Sequence, residues 1–78
     1  MDTLNKLSLQ TKDYAYFVEQ LRKAREEAEF TQVQVTKKLK RPQSHIYNVE
    51  LGQQRVDVVE LQFFAKIYNK DINYFIKS

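Results

Sequence analysis

Two short helical patterns follow each other in residues 31–52, which read TQVQVTKKLKRPQSHIYNVELG. In the first pattern Val35 and Leu39 are four positions apart, so they share one face of a helix. Pro42 then begins a second helix over about residues 42–51, because proline has no amide hydrogen but fits the first turn of a helix. The segment therefore predicts two helices joined by a turn of about three residues.

Single residues mark the ends and faces of these two helices. Thr31 offers a hydroxyl cap to the first helix, and Gly52 offers a left-handed stop after the second. Ile46 and Val49 form the apolar face of the second helix. Its other face carries the polar side chains of Gln43, Ser44, Tyr47 and Asn48. The second helix is therefore predicted to present a polar surface outside the core.

Helical patterns also flank this unit on both sides. Upstream, apolar residues recur at helical spacing from Tyr14 onward, and Asp13 can cap the start of that helix. Downstream, Asp57 caps a helix through VVELQFFAKIY, and INYFIK forms a last short helix. We therefore predict an all-α, five-helix domain over residues 13–78. Residues 1–12 hold three leucines without a clean period and are predicted to be an N-terminal arm that need not be ordered.

The composition excludes several other classes of protein. A chain of 78 residues holds one domain, and one glycine and one proline leave little material for hairpins or long loops. Cysteine is absent and His45 is the only histidine, so no disulfide framework and no metal site are expected. No apolar run approaches the roughly 20 residues of a membrane span, and the start lacks a signal-peptide core. The expected location is the cytoplasm.

Positive charge is concentrated in the middle of the chain. The net charge is +3, yet residues 31–56 carry five basic residues against one acidic residue, whereas residues 1–30 sum to −1 and residues 57–78 to 0. Such a segment is typical of a surface that faces phosphates, and it also fits a solvated basic face without a partner. Charge alone leaves both interpretations open.

The order and spacing of these elements resemble the helix-turn-helix of Cro and the phage repressors, the XRE family of transcriptional regulators. The resemblance covers Tyr14 to Ile76. The matching elements are Arg22 and Arg25 in the first helix, Thr31 and Gln32 opening the second, Gln43 and Ser44 opening the third, the segment from Ile46 to Glu50 before Gly52, and the DVVEL start of the fourth. The resemblance implies a compact lambda-repressor-like domain that binds DNA in a sequence-specific manner as a prokaryotic or phage regulator.

Four positions depart from the pattern of this family. Glu29 and Lys40 stand at helix ends where the family usually has glycine, because the backbone there tends to turn left-handed. A side chain in that conformation costs on the order of 1 kcal/mol. Thr36 stands where the family prefers a small alanine against the partner helix, and Arg41 where an apolar residue is common. These departures concern local packing and turn geometry rather than the fold.

The resemblance also implies roles for individual residues. In the family the polar face of the third helix enters the major groove, whose edges present a distinct pattern of donors and acceptors for each base pair. The implied base contacts are Gln43, Ser44, Tyr47 and Asn48. The implied phosphate contacts are Thr31, Gln32, Lys38, Lys40, Arg41 and Arg55. Gln32 has the alternative role of a polar residue at the helix start, and His45 is assigned no role.

Two further predictions concern contacts between side chains. By resemblance, Arg25 and Glu50 form a buried ion pair, since Arg25 lies on the apolar stripe of the first helix, where an unpaired charge would be costly. A single short helix touches only a few base pairs, so a two-fold homodimer on a palindromic operator is expected. The C-terminal residues Tyr74, Phe75 and Ile76 either form the dimer contact, as we predict, or wrap the domain itself.

Other functional classes are weighed against this interpretation. The sequence offers no pair of nucleophile and base, no metal-binding set and no glycine-rich phosphate loop, so it predicts that the protein is not an enzyme. Neither a cofactor nor a small-molecule ligand is implied, and the expected partners are double-stranded DNA and a second copy of the chain. The alternative is a protein-binding module of the same fold, either an antitoxin or a coactivator-type adaptor, because fold alone does not separate these functions.

Overall fold

The computed structural model describes residues 12–76, and within that range the regular structure is entirely helical. The elements are α1 Lys12–Glu27, α2 Gln32–Leu39, α3 Gln43–Glu50, α4 Val58–Tyr68 and a 3-10 helix Ile72–Phe75. The prediction of an all-α fold is confirmed. Of the predicted arm, residues 1–11 lie outside the described residues, and Lys12 belongs to α1. None of the helices in residues 12–76 combines the length and the apolar character needed to cross a membrane.

The last element differs from the α-helix that the sequence predicts. Asn69 ends α4 in the left-handed conformation, with φ 58°, and Asp71 then accepts a hydrogen bond from the backbone amide of Asn73 at 2.8 Å. Between this turn and the extended backbone of Ile76, only the four residues Ile72–Phe75 have helical geometry. A stretch this short forms a single 3-10 turn. The described chain therefore has four α-helices and one 3-10 helix in place of five helices.

The first helix also begins differently from the prediction. Because α1 begins at Lys12, Asp13 lies in its first turn and is not the residue that precedes and caps the helix. An acidic side chain in the first turn still interacts favourably with the positive end of the helix dipole. Further along α1, Phe17, Leu21 and Ala24 recur at helical spacing and are buried, so this stripe faces the core as predicted.

The turn between α2 and α3 consists of Lys40, Arg41 and Pro42. Thr31 caps α2 as predicted, since its Oγ1 accepts from the Gln34 amide at 3.1 Å while Gln34 Oε1 accepts from the Thr31 amide at 2.8 Å. Lys40 adopts a left-handed conformation, with φ 58°. Pro42 occupies the position before α3, so α3 begins one residue later than predicted. The predicted left-handed glycine is confirmed at Gly52, where φ is 80°.

Side chains from all these elements meet in one core. The largest fully buried ones are Phe64, Phe75, Leu21, Ile46, Val35 and Val49. The 3-10 helix packs against α1 and α4, and the ring of Phe75 lies edge-on to that of Phe17 with centroids 6.4 Å apart. The third helix, α3, packs against both α1 and α2. The core thus holds α3 by its apolar face and leaves the opposite face outside.

Candidate nucleic-acid interface

The outward face of α3 is formed by Gln43, Ser44, Tyr47 and Asn48. Successive helical residues are rotated by about 100°, which places these four side chains on the side opposite Ile46 and Val49. Ile46 and Val49 are fully buried, whereas Gln43, Ser44 and Tyr47 are exposed and Asn48 is half-buried. Leu51, one turn beyond Tyr47, is 52% exposed on the same side and was not anticipated from the sequence. Apart from Leu51, this face is polar and largely exposed.

One flank of α3 is held by Glu50. Arg25 of α1 donates to both carboxylate oxygens of Glu50, from Nε at 2.7 Å and from Nη2 at 3.0 Å, and Arg25 Nη1 donates to the carbonyl of Phe30 at 2.9 Å. The side chains of Arg25 and Glu50 are only 14% and 7% exposed. The hydrogen bond with Glu50 raises the pKa of Arg25. Burial, and secondarily the Glu50 carboxylate, raises the pKa of Tyr68. The structure therefore brings Arg25 and Glu50 together in a largely dry environment.

The first turn of α2 joins this arrangement through Gln32. Gln32 Nε2 donates to Glu50 Oε1 at 3.0 Å. A carboxylate only accepts hydrogen bonds, so the nitrogen of the Gln32 amide group must face Glu50, and its second N–H remains available to another acceptor. The hydroxyl of Thr31 accepts from the Gln34 amide, which leaves its own O–H hydrogen free to donate. Thr31 can therefore cap α2, and Gln32 can bind Glu50, while each still offers a hydrogen to a phosphate.

The other flank of α3 is held by a contact that the sequence did not reveal. His45 Nε2 lies 2.9 Å from Oε2 of Glu60 in α4, and Arg41 Nε lies 3.4 Å from the same oxygen. We call Arg41, His45 and Glu60 the Glu60 cluster. The only related sequence signal is the D-x-x-E spacing of Asp57 and Glu60, which is a helix-capping pattern and does not point to His45. Asp57 does cap α4, since its Oδ1 accepts from the Glu60 amide at 2.8 Å.

Comparison with known proteins agrees with this arrangement. The family model described as a helix-turn-helix domain matches residues 17–71, most of the chain. The chain belongs to the helix-turn-helix domain family. None of the curated proteins compared with the chain matches it. The matched range includes most of α1, the whole α2–turn–α3 unit and α4, so the residues of this helix-turn-helix domain that flank α3 lie inside the family match.

Two of the remaining predicted phosphate contacts, Lys38 and Arg55, already contact aromatic rings. The ammonium group of Lys38 lies 5.0 Å from the centre of the Phe30 ring, and the guanidinium group of Arg55 lies 6.0 Å from that of Tyr14. Lys40 is exposed in the turn. The predicted phosphate contacts are thus distributed over α2, the turn and the loop after α3, and the structure does not gather them into a single cluster.

The C-terminal residues of the helix-turn-helix domain differ in exposure. Phe75 is fully buried within the described chain, so its side chain offers no surface to the predicted dimer contact, which stays a prediction. Tyr74 is half-buried and has the ammonium group of Lys70 at 4.5 Å from its ring centre. Ile76 is 49% exposed. Of the three residues, only Ile76 and part of Tyr74 remain as surface.

Proposed function

We propose that the protein binds double-stranded DNA in a sequence-specific manner and regulates transcription in a prokaryote or phage. In this proposal the domain has the lambda-repressor-like arrangement of the XRE family, acts in the cytoplasm and is not an enzyme. The observation that carries the proposal is the outward face of α3: an exposed polar helix surface whose opposite side is anchored in the core. A helix presented in this way fits the major groove, where each base pair shows its own donors and acceptors.

Base reading is assigned to the outward face of α3. The side-chain amides of Gln43 and Asn48 suit a two-bond contact with adenine, and Ser44 and Tyr47 offer hydroxyl groups beside them. Contacts with the phosphate backbone are assigned to six residues around this face: Thr31, Gln32, Lys38, Lys40, Arg41 and Arg55. Phosphate contacts orient a protein on the duplex without reading its sequence. The two groups of residues should therefore respond differently to substitution.

A binding assay over many duplex sequences tests this division. Gln43→Ala and Asn48→Ala should each cost about 1 to 3 kcal/mol on the selected site and relax preference at one or two base positions, with nonspecific binding almost unchanged. Arg55→Ala, the matched phosphate variant, should weaken binding to all sequences alike and reduce the salt slope by about one. Identical behaviour of the two kinds of variant would show that the roles are wrongly assigned.

The function itself is tested by one experiment with the wild-type protein. Binding to random duplex DNA is measured as a function of salt, and selection from the random pool then yields any preferred site. A DNA-binding regulator should show a steep loss of affinity with salt, because phosphate contacts release counterions, and it should enrich a defined sequence. A flat salt dependence with no enriched sequence would reject the proposal.

The second candidate function is a protein-binding module, either an antitoxin or a coactivator-type adaptor. The observation that favours it is an exposed apolar surface on α4, where Val58, Val59 and Phe63 are 65%, 57% and 54% exposed. Contiguous apolar surface of this kind often marks a site of protein contact. The salt and selection experiment separates the two functions, because an adaptor has no reason to enrich a DNA sequence.

A further inference from the structure

The Glu60 cluster contains a buried carboxylate, that of Glu60, which contacts the first turn of α3 through His45. The side chain of Glu60 is 8% exposed, and its Oε2 contacts His45 Nε2 at 2.9 Å and Arg41 Nε at 3.4 Å. The cleft in front of this carboxylate is lined by further charged groups: Arg55 from the loop and Asp57 from the start of α4. Burying a carboxylate away from water costs free energy unless the carboxylate is paired with a cation. Among the described residues, Arg41 pairs with Glu60 as a permanent cation, and the contact with His45 becomes an ion pair only when His45 is protonated.

These two partners differ in how freely they can leave Glu60. The side chain of Arg41 is 54% exposed, so it can turn toward a ligand in solvent. The side chain of His45 is 18% exposed and lies on α3, next to the buried Ile46. Because a carboxylate cannot donate, the hydrogen in the His45–Glu60 contact is on Nε2, and Nδ1 is the nitrogen that can take up a proton.

Glu60 and a DNA phosphate compete for the guanidinium group of Arg41. Arg41 Nε lies 3.4 Å from Glu60 Oε2 in an ion pair, whereas a phosphate attracts the whole guanidinium group. If Arg41 leaves, a buried carboxylate loses its permanent cation. If Arg41 stays and binds the phosphate through its outer nitrogens, the phosphate is repelled by a nearby carboxylate charge. Protonation of His45 at Nδ1 supplies a second cation to Glu60. That cation replaces Arg41 if Arg41 leaves, and it offsets the repulsion of the phosphate if Arg41 stays.

We propose that Glu60 is a positioning residue for the DNA contact, and that DNA transfers Arg41 from Glu60 to the phosphate backbone while His45 takes up a proton from solvent. This inference rests on the proposed function. By linkage, a complex that binds a proton more tightly than the free protein forms more readily at low pH. The affinity for DNA therefore rises as pH falls through the range in which a histidine gains its charge.

The experiment measures the affinity for a selected duplex at constant salt from about pH 8 to about pH 5.5, the range in which histidine changes charge. Wild-type affinity should rise by about 5-fold or more over this range. His45→Gln should remove the rise. Glu60→Gln, which keeps His45 in place, should also remove it and should bind at pH 8 at least as tightly as the wild type. Circular dichroism of each variant establishes that it is folded.

Glu60→Gln separates the inference from two simpler explanations. If a protonated His45 only attracted DNA by its charge, Glu60→Gln would keep the rise in affinity at low pH. If Glu60 only stabilised the fold, Glu60→Gln would weaken binding at every pH. Either result overturns the inference.

A second measurement follows proton uptake directly. His45 is the only histidine, so its ring signals in an NMR spectrum are unambiguous. On addition of duplex near neutral pH, where histidine titrates, these signals should move toward their low-pH positions. Binding of duplex without that movement overturns the inference and leaves the proposed function standing. Absence of any binding at low salt, with folded protein, rejects the proposed function itself.

Discussion

At the scale of single residues, α3 is held by one carboxylate contact on each flank. Glu50 of α3 receives Arg25 and Gln32, and His45 of α3 contacts Glu60. Both carboxylates lie beside the buried stripe of Ile46 and Val49, so the helix is held by polar contacts on both sides of an apolar centre. Hydrogen bonds to a buried charge are directional and strong, which restricts rotation of a helix of only eight residues.

Breaking the Glu50 contact should destabilise the fold. Glu50→Ala would leave the Arg25 guanidinium buried without its carboxylate, and we expect the free energy of unfolding to fall by about 3 kcal/mol or more in urea denaturation. Glu26→Ala is the matched control, since Glu26 pairs with Arg22 at 3.9 Å and both side chains are about half exposed. It should change stability by about 0.5 kcal/mol or less. Equal effects of the two substitutions would contradict a buried role for Glu50.

The hydroxyl of Thr36 is a polar group that the fold leaves unsatisfied. Its Oγ1 is buried without a hydrogen-bond partner, at the position where the XRE family that the sequence resembles prefers alanine. Thr36→Val keeps the shape and removes the hydroxyl, so the free energy of unfolding should rise by about 1 kcal/mol. Thr31→Val, the same change at a hydroxyl that caps α2, should lower it by about 1 kcal/mol. A loss of stability in Thr36→Val would show that the hydroxyl has a partner in solution.

At the scale of helices, left-handed residues set where each helix ends. Four described residues have positive φ: Glu29, Lys40, Asn69 and Gly52. Glycine and asparagine tolerate this conformation, whereas Glu29 and Lys40 carry longer side chains that crowd the backbone there. The two positions where the sequence departs from the glycine of the XRE family that it resembles are therefore positions where the backbone is strained.

Replacing Glu29 with glycine tests that strain. Glu29 is exposed, and its φ is 63°. Glu29→Gly should raise the free energy of unfolding by about 0.5 to 1 kcal/mol, because glycine adopts positive φ without a steric penalty. Lys23→Gly, an exposed residue within α1, should lower it by about 1 kcal/mol, since glycine disfavours a helix interior. The free energy of unfolding of both variants is measured by thermal or urea denaturation. If it changed with the same sign in both variants, backbone strain at Glu29 would be contradicted.

At the scale of the whole molecule, two separate surfaces could join a second copy. One is the C-terminal surface of Ile76 and the half-buried Tyr74, and the other is the apolar surface of Val58, Val59 and Phe63 on α4. A helix of eight residues is only about 12 Å long, so it covers a few base pairs and gains discrimination when symmetry doubles the site. The proposed two-fold dimer needs one of these surfaces.

Matched substitutions distinguish the two surfaces. We expect Ile76→Asp to abolish the binding of two protomers to one selected operator, because a charge would replace an apolar contact at the C-terminal surface. Phe63→Asp should leave two protomers bound. The stoichiometry on the duplex is measured by analytical ultracentrifugation, with half-sites separated by about one helical turn. The reverse pattern would move the contact to α4, and a single wild-type protomer per operator would reject the dimer.

The sequence alone determined the local structure of this protein. The caps at Thr31 and Asp57, the left-handed Gly52, the apolar stripes of the helices and the turn before α3 depend on residues within a few positions of one another, and the structure has all of them. Such features follow from hydrogen bonds and steric limits inside one short segment. The outward polar face of α3 was predictable for the same reason.

Contacts between side chains far apart in the chain could not be read from the sequence. His45 and Glu60 are 15 positions apart, and no pattern along the chain links them. The sequence predicts Phe75 in a contact with a second subunit. Its side chain is instead buried completely, because the 3-10 helix packs against α1 and α4. Contacts of this kind arise from the relative placement of packed helices, because burial and charge pairing depend on distances in space rather than on spacing in the sequence.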